Sequence, residues 1–191
     1  MLDDHTIEIS YKKLHTVGRF IAKTIYRYIQ KEYDEKFIQN LRNMCAIFNF
    51  DAKDTSRVIL CGYFYNIGVL KIPVEIVLKQ DTLNEVEDDI VKSIPYFSRE
   101  VLSMIYGFDD IAKLASNYQE RIDGSGYPSH LSGSDLSLKD RIFQIVILYQ
   151  TKREEKIENN EIFRLLENEA DKGRIDKTIL KTFQTMISQN N

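Results

Sequence analysis

Apolar residues return every three or four positions along almost the whole chain, and that spacing admits one class of fold. Leu14, Val17, Phe20, Ile21, Ile25, Tyr28 and Ile29 mark an amphipathic helix of about five or six turns. Phe37, Ile38, Leu41, Met44, Cys45 and Phe48 mark a second. A third is predicted from Asp54, as N-cap, to Asn66, and its nearly continuous apolar face makes it a central helix. Gly68 and Pro73 then break the pattern. Thr82-Leu83-Asn84-Glu85 has the form of a capping box, in which a Thr side chain bonds the amide three residues on and Glu reaches back. It predicts a helix through Ile94 that Pro95 stops or kinks. Further helices are expected over residues 97–106, 109–121, 138–152 and 161–171, and from an Asp176 cap to Ile187. Residues 123–137, rich in Gly, Ser and Pro, form a loop. No stretch alternates as a strand would, so the fold class is all-α: a single-domain helical bundle over residues 10–191, preceded by a tail at 1–9.

Bulk properties narrow the function classes. The chain has 191 residues and a formal net charge of -3, which gives no electrostatic basis for general nucleic-acid binding. Cys45 and Cys61 are the only cysteines, and their apolar helical surroundings suit buried free thiols. Residues 1–10 are acidic and lack the apolar centre of a signal peptide. The longest apolar stretches, 58–65 and 142–149, are too short to cross a bilayer. A cytoplasmic location without membrane contact is the expectation.

The densest motif is Arg121-Ile122-Asp123-Gly124-Ser125-Gly126-Tyr127-Pro128. Two glycines permit positive φ and close backbone approach. Asp123 can bond amides further along the turn, Pro128 sets the chain direction, and Tyr127 offers an aromatic body with a polar tip. On these properties alone it is a rigid loop at a helix end. It also resembles the signature loop of HD-GYP domains, members of the HD superfamily of metal-dependent phosphohydrolases that typically hydrolyse cyclic di-GMP in bacterial signalling. Ile67-Gly68 with Ile72-Pro73 resembles the segment after that family's His-Asp pair, and Val91-Lys92-Ser93 with Pro95 the stretch around its next histidine. Arg141-Ile142 resembles the start of its last core helix, and Gly173 with Asp176 the start of its C-terminal helix.

Placed on the family pattern, the metal-site positions carry the wrong chemistry. Tyr11 takes the place of the first glutamate, and His15 that of the first histidine. The His-Asp pair becomes Tyr65-Asn66, the lysine after it becomes Val69 with Lys71 nearby, and the next histidine becomes Ile94. The paired histidines before the loop become Tyr118-Gln119, with Glu120 retained, and the aspartates of the last core helix become Ile147 and Gln150. Only His5, His15 and His130 exist in the chain, so imidazoles cannot come from elsewhere. Phenols and aliphatic groups do not bind Mg, Mn or Fe usefully. No metal, cofactor or catalytic residue is therefore expected. Tyr11, Tyr65 and Tyr118 are expected to fill the former pocket as core; the alternative is that they line a smaller pocket.

The resemblance then implies a non-catalytic HD-GYP-like domain that acts as an interaction or scaffold module through Arg121, Asp123, Gly124, Ser125, Gly126, Tyr127 and Pro128. A rigid loop with a projecting Tyr127 would be the contact anchor, and a GGDEF-type diguanylate cyclase a candidate partner. The alternative is a sensor that binds a cyclic dinucleotide or another nucleotide without hydrolysing it, with Arg121, Arg141, Lys152 and Arg153 as phosphate contacts. Residual phosphodiesterase activity and a purely structural role are the remaining readings. Glu120 and Arg121 could organise the loop as a local ion pair.

Overall fold

The computed structural model describes residues 4–189, with side chains from residue 11 onward. Ten α-helices and one 3-10 turn follow one another, and among the described residues there is no strand, only an isolated bridge between Asp123 and Ser132. The helices are α1 (Asp4–Tyr28), α2 (Glu35–Ile47), α3 (Ala52–Phe64), α4 (Val74–Val77), α5 (Glu85–Lys92), α6 (Ile94–Ser103), α7 (Asp109–Asn117), α8 (Leu138–Glu154), α9 (Asn159–Asp171) and α10 (Lys177–Gln189). The 3-10 turn, Ile67–Lys71, joins α3 to α4. The fold is all-α, as the periodicity predicts.

Two helices carry the interior. α3 packs against α1, α2 and α7, and α8 packs against α2, α7, α9 and α10. Val58, Ile59, Leu60 and Cys61 of α3 and Ile142, Phe143, Ile145 and Val146 of α8 are almost wholly excluded from solvent. A helix apolar on most sides must be surrounded by others, which is why these two are central. Cys45 and Cys61 are buried free thiols.

Several boundaries differ from the sequence expectations, each for a local reason. Residues 4–9 continue α1 as helix rather than forming a tail. Asp51, not Asp54, caps α3: its Oδ1 accepts from the Asp54 amide at 2.7 Å. The capping box starts two residues later than Thr82, with Asn84 and Glu87 exchanging bonds of 3.0 and 2.9 Å. Pro95 does not end a helix; it lies in the first turn of α6, where a missing N–H costs nothing. α7 stops at Asn117, so residues 118–121 leave the helix and lead into the loop. Ser137 and Asp140 form a further capping box at the head of α8. Asp140 is buried and also accepts from Asn117 Nδ2 at 3.0 Å, tying the start of α8 to the end of α7. Asp176 caps α10, accepting from the Thr178 and Ile179 amides at 3.0 and 3.1 Å.

Candidate functional site

The ends of α3 and α7 meet the middle of α8 around a pocket of about 360 Å³. Seven of the positions picked from the sequence converge there: Tyr65, Asn66, Ile94, Tyr118, Gln119 and Ile147, with Val69 of the 3-10 turn. They come from the C-terminus of α3, the head of α6, the residues after α7 and the third turn of α8. The pairing rests on close packing beneath it. Gly68 admits α6 because a Cβ there would meet the Ile94 carbonyl oxygen and come within 2.6 Å of the Ser98 amide. The Gly68 amide instead donates to Ser98 Oγ at 2.9 Å.

Tyr11 and His15 do not belong to this pocket. They line a separate groove with Arg19, Arg42 and Tyr63. His15 and Tyr26 share a helix but stand eleven residues apart, about 16 Å along the axis. Tyr26 and Ile29 are what this segment presents to the pocket, followed by Lys31. These three were missed. The signal for them was the tyrosine-rich stretch at the C-terminal end of α1, Tyr26-Arg27-Tyr28 with Tyr33 beyond.

The tyrosines line the pocket rather than filling it. The Tyr65 and Tyr118 rings meet edge-to-face at 5.2 Å, and Tyr65 also meets Phe37 and Phe143 at 5.8 and 6.0 Å. The Tyr26 and Tyr65 hydroxyls lie 3.3 Å apart, and Tyr26 donates to Glu154 Oε1 at 3.3 Å. Burial pushes the Tyr26, Tyr65 and Tyr118 phenols above their ordinary range. They stand as neutral hydroxyls.

Glu154 is the one carboxylate in the lining, and Lys31 neutralises it at 2.9 Å. The other lining lysine, Lys79, pairs with Glu87 at 2.5 Å. Hard divalent ions need several carboxylates, and softer ones add imidazoles. This lining holds no imidazole and one spent carboxylate, so it does not fit such a centre. Among the described residues no group of three or more His, Cys, Asp or Glu side chains stands where it could hold a metal ion.

The four cations expected to grip a phosphate are dispersed and engaged. Arg141 spans the loop, donating to the Leu136 carbonyl at 3.1 Å and to the Gly133 carbonyl, and pairs with Asp176 at 3.2 Å. Lys152 pairs with Glu155 at 2.8 Å, and Arg153 with Asp34 at 3.4 Å. Arg121 donates to the Glu120 carbonyl at 2.7 Å. None of the four lines the pocket.

The loop after α7 is organised by Glu120, whose exposure is 0%. Its two carboxylate oxygens accept from the Ser129 amide at 2.7 Å and the Leu131 amide at 3.0 Å. This is a clamp on backbone N–H groups, not an ion pair with Arg121. Gln144 Nε2 on α8 donates to the Glu120 carbonyl at 2.9 Å. The Tyr127 amide donates to the Gln119 carbonyl at 3.2 Å, and Asp123 Oδ1 accepts from both the Ser125 amide and its hydroxyl, at 3.0 and 2.6 Å. Gly124 has φ +79°, and Gly126 lies so close to the backbone of Glu120 and Arg121 that no Cβ fits. The Tyr127–Pro128 peptide is cis. Tyr127 does not project: it is half-buried, with Arg121, Lys92 and Asp88 as its charged neighbours. Asp123, Ser125, Ser129 and His130 are the exposed face of the loop.

An all-α bundle whose helix ends surround this pocket, with an ordered loop following α7, has an HD-type architecture. A family model described as HD domain matches residues 20–179, which is most of the chain, and the protein belongs to that family. The chain is 28% identical over 153 residues to the 3'3'-cGAMP-specific phosphodiesterase 1 of Vibrio cholerae, covering 78% of this chain and 36% of that protein. It is 27% identical over 154 residues to the cyclic di-GMP phosphodiesterase PdeB of Borreliella burgdorferi, covering 78% and 39%. It is 33% identical over 148 residues to the cyclic di-GMP phosphodiesterase response regulator RpfG of Xanthomonas campestris, covering 74% and 38%. The chain thus spans well under half the length of these relatives. No helix among the described residues is long and apolar enough to cross a membrane.

Proposed function

We propose that this chain is a catalytically inactive HD-GYP-like domain that serves as a protein-interaction module in cyclic di-GMP-type signalling. The observation that carries the reading is the donor set of the pocket. Where a metal-dependent hydrolase needs a cluster of carboxylates and imidazoles, Tyr26, Tyr65, Asn66, Tyr118, Gln119 and Ile147 stand, with Glu154 held by Lys31. Without a metal there is no water of lowered pKa and no charge clamp for the phosphoryl oxygens. The loop, by contrast, is fully built, with its backbone locked by Glu120.

The contact face of that loop is its exposed edge, Asp123, Ser125, Ser129 and His130, with Tyr127 setting its shape from beneath. A GGDEF-type diguanylate cyclase is the partner class to try first. Two assays test the reading together. Incubation with cyclic di-GMP and 3'3'-cGAMP in the presence of Mn, Mg or Fe should yield no product; turnover in the range of working phosphodiesterases would overturn it. Pull-down with the Asp123→Arg, Ser129→Arg double variant should lose the partner; retention would remove the loop from the account.

A further inference from the structure

A second groove, of about 530 Å³, lies between α1, α2 and α3, on the face that Tyr11 and His15 occupy. Its lining among the described side chains is Tyr11, Lys12, His15, Thr16, Arg19, Arg42, Ser56 and Tyr63, which includes three cations and no carboxylate. We propose that this groove binds a phosphate-bearing ligand, with Arg42, Arg19 and Lys12 around the anion and His15 at its inner wall.

Four observations carry the proposal. The first is charge. Arg42 has no ion pair with any described carboxylate, and Arg19 has only a long one, 3.7 Å to Glu35, which Lys23 shares at 3.0 Å. Clustered guanidinium groups repel each other, and a phosphate relieves that repulsion while satisfying their planar forks. The second is a buried polar atom left open: His15 Nε2 is shielded from solvent and has no hydrogen-bond partner. Such an atom costs free energy unless something meets it. The third is the set of neutral donors. The Ser56, Tyr11 and Tyr63 hydroxyls stand in the lining beside the cations, and the His15 and Tyr63 rings meet edge-to-face at 6.1 Å. The fourth is the field at the histidine. After burial itself, the causes that hold His15 below its ordinary value of 6.5 are Arg42 and then Arg19. The potential inside the groove is therefore positive, as an anion site requires.

The groove is separate from the HD pocket, with which it shares no lining residue. Its volume suits a ligand from free phosphate up to a nucleotide. The shared chemistry is a phosphate group, and the probes separate the sources.

Calorimetry on the intact chain at low ionic strength would use inorganic phosphate, guanosine monophosphate and cyclic di-GMP. In parallel the His15 ring resonances would be followed by NMR. Binding of at least one probe should shift the His15 ring and weaken with added salt. Arg42→Gln should weaken it by about 10-fold or more, since charge-assisted hydrogen bonds are the strong ones. Arg42 is exposed, so the variant keeps the fold, and circular dichroism checks this. Arg164→Gln, on α9 and outside the groove lining, should leave binding unchanged. No heat and no His15 shift with any probe at millimolar concentration would overturn the proposal. So would binding that Arg42→Gln and Arg19→Gln both leave intact.

Discussion

Replacing Glu120 tests how the loop is held. In the native chain its buried carboxylate is the acceptor for two backbone N–H groups, from Ser129 at 2.7 Å and Leu131 at 3.0 Å. Glu120→Ala leaves both donors facing a void. A buried donor stripped of its partner costs about 1–3 kcal/mol, so the pair costs about 4 kcal/mol at the middle of that range. For a chain of this size each kcal/mol lowers the melting temperature by about 2–4 °C, which gives a drop of about 12 °C. Glu120→Gln keeps one acceptor oxygen and should lose about half as much. Thermal melting by circular dichroism reads the totals. Hydrogen exchange reads the place: the amides of Ser129 and Leu131 should lose protection first, together with the Tyr127 amide that bonds Gln119. An Ala variant melting within about 2 °C of the parent would refute the arithmetic. A large drop with those amides still protected would refute the assignment of the clamp.

Three further outcomes follow from the same contacts. Gly68→Ala should cost several degrees in melting temperature, because the new Cβ would press on the Ile94 carbonyl and the Ser98 amide, both backbone atoms that cannot turn aside. Arg141→Met should loosen the loop and the head of α10 together, costing about 1–3 kcal/mol through the unpaired Leu136 and Gly133 carbonyls and the lost Asp176 pair; a chemical denaturation curve measures it. Tyr26, Tyr65 and Tyr118 have phenols pushed up by burial, so the unfolded chain ionises them first as pH rises. Their contribution to stability should be whole below about pH 10 and fall as pH climbs from there towards the folded values. Ultraviolet titration should show them ionising with unfolding, and simple early titration of all eleven tyrosines would contradict the burial.

Much of the fold was legible because helical spacing and loop chemistry are local. The α3 and α8 interiors and the turn at Gly68 could be read directly, and so could the loop before α8. Helix starts were less certain for a physical reason. Asp51 and Asp54 both suit a cap, and only the backbone direction selects Asp51. Likewise Thr82 and Asn84 compete for one capping box, and Asn84 wins. In the site, Tyr65, Asn66, Val69, Ile94, Tyr118 and Gln119 were found because each sits near a Gly, Pro or loop landmark, and Ile147 by counting along α8 from Arg141. Tyr11 and His15 failed because α1 has no such landmark. One face of a 25-residue helix offers several equivalent positions, and a lone histidine drew the choice towards the wrong end. That Tyr127 lies half-buried, and that Arg141 serves the loop, depends on packing between distant segments, which spacing does not encode.

The central claim is that the pocket around Tyr65 and Tyr118 cannot assemble a metal centre. Elemental analysis of the protein, expressed with added iron and manganese and purified without chelators, measures this most directly. Far less than one transition-metal ion per chain is expected, unchanged by Asn66→Ala. One or two tightly held ions per chain, released by Asn66→Ala or Glu154→Gln, would contradict it.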